Sequence, residues 1–347
     1  MMKALVYGGP GEKEWTDVPL PEMHDPRDAI VRVDAVTICG TDLHILKGDV
    51  PEVAHGQILG HEAVGTVLEV GAAVTGVAEG SRVLISCISG CGRCRFCRTG
   101  AYGQCLEGGG WVLGHLIDGT QAEYVRVPFA DLSLHVIPET VSDQAALMLA
   151  DIVPTAYEVG VLNGRVSPGD TVAVVGAGPI GLAAIKTAQL FSPGRVIAVD
   201  RAESRLEAAK LFGADITILA SSDPEGVVAE LTNGLGADVV IEAVGVPESF
   251  ESCTRLVRAG GHVANVGVHG KPVSLHLEDL WIKNLTITTG LVDTYSTPTL
   301  MSMLATGQLD TAPFVTHHFP MEAMTEAYDI FSRASETAAL KVVLTRS

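Results

Sequence analysis

The sequence predicts an α/β protein of two domains, a mainly β domain with long loops and a doubly wound parallel-sheet domain. Three observations carry this. At 347 residues the chain exceeds what one hydrophobic core usually supports. Up to about residue 140, short strand-like runs are punctuated by Gly and Pro. Between about 156 and 292, buried-type strands alternate with helical segments, which implies parallel pairing through crossover helices.

In the first part, Ala29 to Val36, Ala63 to Val70, Arg82 to Ser86 and Ala122 to Val127 read as strands. The stretch Val31 to His61 carries Cys39, Thr41, Asp42, His44, His61 and Glu62, on loops rather than in a periodic core segment. That mixture of thiol, hydroxyl, carboxylate and imidazole is the composition of a metal site that also moves protons. Asp143 to Ala150 reads as a helix, and Thr155-Ala156-Tyr157-Glu158 matches a capping box opening another, which places a boundary near 155. Strands then follow at Thr171 to Val175, Arg195 to Val199, Asp215 to Leu219, Val239 to Glu242, Val263 to Val266 and Thr286 to Thr289, with helices such as Ile180 to Phe191 and Ser204 to Phe212 between most of them. The last stretch, with helices at Thr297 to Thr306 and Met321 to Arg333 and a strand at Leu340 to Leu344, is too short to fold alone and is expected to complete the first domain. The expected domains are therefore 1–155 with 293–347, and 156–292.

The net charge of -18, from 23 basic and 41 acidic side chains, repels phosphate backbones and anionic lipid, so neither nucleic acid nor a membrane is the expected partner. The N-terminus lacks a signal-peptide pattern, and no window approaches the roughly 18 apolar residues of a span, so the expected location is cytoplasmic. In a reducing compartment the seven cysteines, four of them crowded together, point to metal ligation rather than disulfides.

Gly176-Ala177-Gly178-Pro179-Ile180-Gly181 satisfies the dinucleotide fingerprint, with a strand before it and an apolar helix after it. Gly176 makes the tight turn, Gly178 admits the pyrophosphate and Gly181 lets helix pack on strand, while Pro179 suits the first helical position. Such turns also occur for packing alone, but Asp200 ends the next strand where a carboxylate binds the adenosine ribose. That carboxylate favours NAD over NADP, a preference that the adjacent Arg201 partly offsets.

Cys91-x2-Cys94-x2-Cys97-x7-Cys105 brings four thiolates onto one glycine-rich loop, the ligand set of a closed, structural zinc. An iron-sulfur cluster is the lesser reading of the same four sulfurs. Cys87 and Cys253 read as small core residues rather than ligands.

Cys39 and His61 are candidates for two ligands of a second, open zinc. Taken with Cys39-Gly40-Thr41-Asp42, Gly60-His61-Glu62-x2-Gly65-x5-Gly71-x2-Val74, the four-cysteine lobe and the dinucleotide fold, the chain closely resembles the zinc-dependent medium-chain alcohol dehydrogenases over essentially its whole length. The resemblance implies a GroES-like catalytic domain joined to a Rossmann-type domain. It implies two zinc ions per chain, the catalytic one completed by Asp151, where many members have cysteine and where aspartate looks like the microbial secondary alcohol dehydrogenase branch. It implies that Thr41 bonds the substrate oxygen, that His44 ends a proton relay, that Asp42 orients His61, and that Glu62 is an occasional metal ligand. Thr155 and Arg205 match family contacts to the nicotinamide side and the adenosine ribose, and Trp111 and Ile152 match positions lining the substrate pocket. The implied reaction interconverts alcohols, secondary ones foremost, small to medium and apolar or aromatic, with ketones or aldehydes by hydride transfer. A polyol, sugar or threonine dehydrogenase remains the alternative within the family, and a non-catalytic NAD-binding zinc protein the alternative outside it. Relatives imply a homo-oligomer, with a tetramer favoured over a dimer.

Overall fold

The computed structural model describes residues 1–346. The chain divides after Asp151 and again after Val292.

The first unit joins residues Met1–Asp151 to the segment that starts at Asp293. Its main sheet runs in the order Val315–Pro320, Lys341–Thr345, Ala29–Thr37, Ala63–Val70, Arg82–Ile85 and Leu134–Val136, with Tyr124–Val127 also paired to Ala29–Thr37. The strand Lys341–Thr345 pairs antiparallel with Ala29–Thr37 in a register that sets Val343 opposite Thr37. Alternate residues of a strand share a face, and Val31, Val33, Val67, Val83, Ile85, Val342 and Leu344 bury theirs in one core with Ile45, Leu59 and Tyr328. Met2–Gly9 and Glu12–Val18 form a separate antiparallel hairpin.

The stretch expected as loops contains a helix. Gly40–Lys47 is α-helical, with Cys39 at its N-cap in extended conformation and Gly48 closing it at φ 83°. Asp42 sits at the third position, where its Oδ2 accepts the Cys39 backbone N-H at 2.9 Å and satisfies a donor the helix start leaves free. Two turns of mixed polar sequence carry too little apolar periodicity to announce a helix.

In the second unit, Ile152–Val292, six parallel strands run in the order Ile216–Leu219, Arg195–Asp200, Thr171–Val175, Ala237–Glu242, Val257–Asn265 and Thr286–Thr289. Progression outward from Thr171–Val175 in both directions is the doubly wound pattern, with its switch point beside that strand. The expected capping box at Thr155 is not formed. Thr155 has helical φ and ψ of -59° and -51°, at the junction of the helix Ile152–Thr155 with the π-helical turns Ala156–Leu162. A capping side chain reaches back only from an extended backbone, so the helix begins earlier, at Ile152, and the division of the chain falls at Asp151 rather than 155.

Candidate functional site

In the first unit, Cys39 is delivered by the end of the strand Ala29–Thr37, His61 by the approach to Ala63–Val70, and Asp151 by the segment after Asp143–Leu147. The ligand atoms of these three residues lie within 4.8 Å of one another. Asp151 Oδ2 is 3.4 Å from Cys39 Sγ and 3.5 Å from His61 Nε2. Burial, with the charges of Asp151 and Glu62 adding to it, pushes the Cys39 thiol up. Burial alone would lower His61, but its bonds to Asp151 and Cys39 and the charges around it outweigh that and hold it well above the usual imidazole range. Anionic groups forced together in a dry site are what a divalent cation relieves, and thiolate, imidazole and carboxylate are all zinc donors. The donor set therefore fits zinc.

Around these three groups, Thr41 Oγ1 lies 3.6 Å from Cys39 Sγ. One turn on, His44 is half-exposed and its Nδ1 meets Asp49 Oδ2 at 2.8 Å. Asp42 is buried, with Oδ1 3.8 Å from His61 Nδ1 and Oδ2 accepting the Gln121 amide at 3.0 Å. Burial raises the Asp42 carboxyl, with His61 and the Cys39 N-H pulling the other way. Trp111 packs its ring edge-on to His61, centroids 6.2 Å apart, and stacks on His115 at 4.1 Å.

Three contacts escaped the sequence reading. Lys341 Nζ donates to Glu62 Oε2 at 2.5 Å and to the Ile38 carbonyl at 3.1 Å, with both side chains 1% exposed. Burial would lower Lys341, yet Glu62 beside it raises it. Gln121 bridges Asp42 to the Tyr328 hydroxyl. Cys87, buried as expected of a small core residue, has its Sγ 3.7 Å from Asp151 Oδ1 and so borders the ligand cluster. A lone lysine opening an otherwise apolar strand was the one signal available for Lys341.

The four cysteines Cys91, Cys94, Cys97 and Cys105 also converge within 4.8 Å. Backbone N-H groups point at the sulfurs, from Cys91 to Cys105, from Cys94 to Cys91 and from Cys97 to Cys94, at 3.3 to 3.4 Å. Such donors, from Cys97 and Leu106, hold the Cys94 thiol down at about 6. Burial, with the neighbouring cysteines, pushes Cys97 up to about 12. The cluster fits a closed tetrahedral zinc.

In the second unit Gly176 turns at φ 98°, and a Cβ at Gly181 would collide with the Gly176 carbonyl oxygen. A Cβ at Gly178 would meet nothing within 4 Å, leaving its face open to a ligand. Pro179 opens the helix Pro179–Ala188, with Ile180 next to it, so free N-H groups and the positive dipole end face the glycine turn. Buried Asp200 accepts the Ala177 N-H at 2.7 Å and the Ala202 N-H at 2.9 Å, each carboxylate oxygen keeping a lone pair. Arg205 Nη1 stands 3.9 Å from Asp200, Arg201 is exposed, Thr155 is half-buried and Ile152 is fully buried.

Two family descriptions match the chain, "Alcohol dehydrogenase GroES-like domain" over residues 25–139 and "Zinc-binding dehydrogenase" over residues 179–306. A solved apo structure of zinc-dependent alcohol dehydrogenase 2 from Streptococcus pneumonia is 47% identical, with a TM-score of 0.96 and coverage of 100% of this chain and 99% of that one. An alcohol dehydrogenase of Cupriavidus necator is 38% identical across 99% of this chain and 98% of its own length. An L-threonine 3-dehydrogenase of Bacillus licheniformis is 35% identical, covering 96% of both. Of the more distant solved relatives, one from E. coli CFT073 (28% identical, TM-score 0.89, 99% of both chains) is complexed with NADH, and one from Sinorhizobium meliloti 1021 (30%, 0.86, 99% of both) is bound to NADP.

Proposed function

The chain belongs to the zinc-dependent medium-chain alcohol dehydrogenase family, and from that premise we propose that it interconverts small to medium secondary alcohols, apolar or aromatic, with their ketones, using NAD. The observation that carries the reading is the convergence of Cys39, His61 and Asp151 within 4.8 Å beside the Trp111 ring. These three side chains would hold a catalytic zinc, and Cys91, Cys94, Cys97 and Cys105 a structural one, two per chain. When bound, the catalytic zinc supplies Lewis acidity that lowers the pKa of a substrate hydroxyl, and NAD supplies the hydride acceptor.

The chain's own residues do the rest. A Cys39 thiolate and an Asp151 carboxylate would balance the two positive charges of zinc with His61 neutral, and Asp42, facing its Nδ1, orients the ring. Thr41 Oγ1, next to Cys39 Sγ, accepts the substrate's hydroxyl proton while releasing its own into a relay that ends at His44. His44, one helical turn on and half-exposed beside Asp49, returns that proton to solvent. Glu62, close behind the metal site as an occasional ligand, is ion-paired with Lys341. Gly176, Gly178, Pro179, Ile180 and Gly181 seat the pyrophosphate, with Thr155 toward the nicotinamide and Arg205 toward the ribose. The Asp200 carboxylate repels a 2′-phosphate, which supports NAD over NADP even with Arg201 adjacent. The Trp111 ring beside His61 offers an apolar wall to the substrate.

Homo-oligomerisation, as a tetramer or a dimer, is supported by the unpaired edge strand Thr286–Thr289 and by Trp281 and Ile282, 72% and 69% exposed close before it. Cytoplasmic residence is part of this proposal, and among the described residues no helix is long and apolar enough to cross a membrane. The threonine enzyme among the relatives favours a second reading, a β-hydroxy amino acid as substrate. Steady-state kinetics with 2-butanol, benzyl alcohol, sorbitol and threonine separate the two. Metal counting under partial chelation tests the whole proposal: two zincs are expected, the more labile one required for turnover, and one zinc with no dehydrogenase activity overturns it.

A further inference from the structure

At the carboxyl end of the strand Ala237–Glu242 the sheet buries a carboxylate that the reaction does not use. Glu242 is 0% exposed. Its Oε1 accepts three hydrogen bonds, from the Val244 N-H at 3.0 Å, the Gly245 N-H at 2.9 Å and the Ser249 hydroxyl at 2.5 Å. The first two belong to the turn leading into the helix Pro247–Leu256, and Ser249 lies in that helix's first turn. Oε2 makes no hydrogen bond among the described residues and faces His269 Nε2 at 3.6 Å. His269 Nε2 in turn donates to Asn265 Oδ1 at 2.9 Å, and the Asn265 amide donates to the Gly267 carbonyl at 3.0 Å.

Two close approaches tie this network to the dinucleotide turn. Register pairing sets Glu242 opposite Val175, the residue before Gly176. A Cβ on Gly176 would come within 2.6 Å of the Val244 side chain and 2.9 Å of the Ala243 carbonyl, while one on Gly267 would collide with Glu242 Oε2 and the Gly245 N-H. The glycine turn, the turn after Glu242 and the turn after Asn265 are thus keyed together at the crevice where open parallel sheets bind ligands. Val244 and Val268, in these turns, are 47% and 69% exposed.

We infer that Glu242 is a positioning residue of the dinucleotide site: by gathering the donors of one turn and packing against the other, it holds both against the glycine turn and sets the seat for the cofactor. The inference rests on reading Gly176 to Gly181 as the pyrophosphate turn. What it requires of Glu242 is the reach of an acceptor, and so a neutral acceptor of the same length serves in its place.

The test is NADH titration, by fluorescence, of the purified full-length zinc enzyme. Glu242→Ala, which strands the Val244 and Gly245 N-H groups while Ser249 keeps the Val246 carbonyl, is expected to raise the NADH Kd about tenfold or more, with zinc content and the alcohol KM at saturating cofactor unchanged. Glu242→Gln is expected to recover most of that loss. Should the alanine variant not fold, Glu242→Asp, which withdraws the acceptor by one methylene, carries the test with an expected rise of about threefold or more. A Kd within about twofold of wild type in the alanine or aspartate variant overturns the inference, as does a glutamine variant no better than alanine. Failure of the wild-type protein to bind NADH overturns instead the cofactor-site reading beneath it.

Discussion

Replacing Lys341 with methionine keeps the length and apolar stem of the side chain but removes its charge, and leaves the Glu62 carboxylate and the Ile38 carbonyl without their donor. The ion pair is 2.5 Å long with both partners 1% exposed. At an effective dielectric of about 20 the gross attraction is about 7 kcal/mol, against a desolvation cost of several kcal/mol for each ion. The net value of the pair is accordingly small, but breaking one side leaves a buried, uncompensated carboxylate, which costs about 3–5 kcal/mol. In a unit of this size that lowers the melting temperature by roughly 10 °C. Removing both charges together, in Lys341→Met with Glu62→Gln, is expected to restore most of the lost stability, because neither buried group then needs a counter-charge. Scanning calorimetry of the zinc-loaded proteins reads both changes, and zinc analysis confirms equal loading. If the single variant melts within about 1 °C of wild type, or the double variant is no more stable than the single, Lys341 is not the counter-charge of Glu62 and the reasoning fails.

Other expectations concern separate parts of the molecule. Burial holds the His135 imidazole down at about 4. The unfolded chain therefore binds the proton first as pH falls, so the stability due to a neutral His135 is complete above about 6.5 and is lost between about 6.5 and 4, by roughly 3 kcal/mol in all. Urea unfolding across that range should show the slope in wild type and lose most of it in His135→Phe; equal slopes would count against it. Gly181→Ala drives a methyl group into the Gly176 carbonyl and should abolish NADH binding while both zincs remain, as read by fluorescence titration and metal analysis. Asp200→Gly, which removes the carboxylate beside Arg201 and Arg205, should shift the ratio of kcat/KM for NAD and NADP toward NADP by about tenfold or more, and an unchanged ratio would refute the placing of the ribose there. Cys105→Ser should lower zinc from two per chain to one, counted after gel filtration.

Much of this protein was legible without coordinates because its motifs are local. The four cysteines fall within fifteen consecutive residues, so their convergence is a property of one loop. The glycine turn is recognisable because its strand, its glycines and its helix are contiguous, and the parallel sheet because its central strands each carry an apolar run. The helix Gly40–Lys47 was missed because its eight residues alternate polar and apolar groups with no stripe, and it is held in place by Cys39 and Asp42 rather than by periodicity. Thr155 misled because a capping pattern says nothing about the backbone angles that the preceding turn imposes.

What the sequence by itself determined are the features whose physics closes within a few residues: thiolate spacing, the glycine turn with its acidic follower, and the apolar strand runs of the parallel sheet. What only the tertiary structure decided are the contacts between residues far apart in the chain. Lys341 reaches Glu62 because Lys341–Thr345 pairs with Ala29–Thr37, Gln121 joins Asp42 to Tyr328, and Asp151 comes within 3.5 Å of Cys39 and His61. A lysine or a glutamine has the same local signature on a surface as in a core. Only packing removes the water that makes the difference, and packing is set by the whole sheet rather than by any neighbour in sequence.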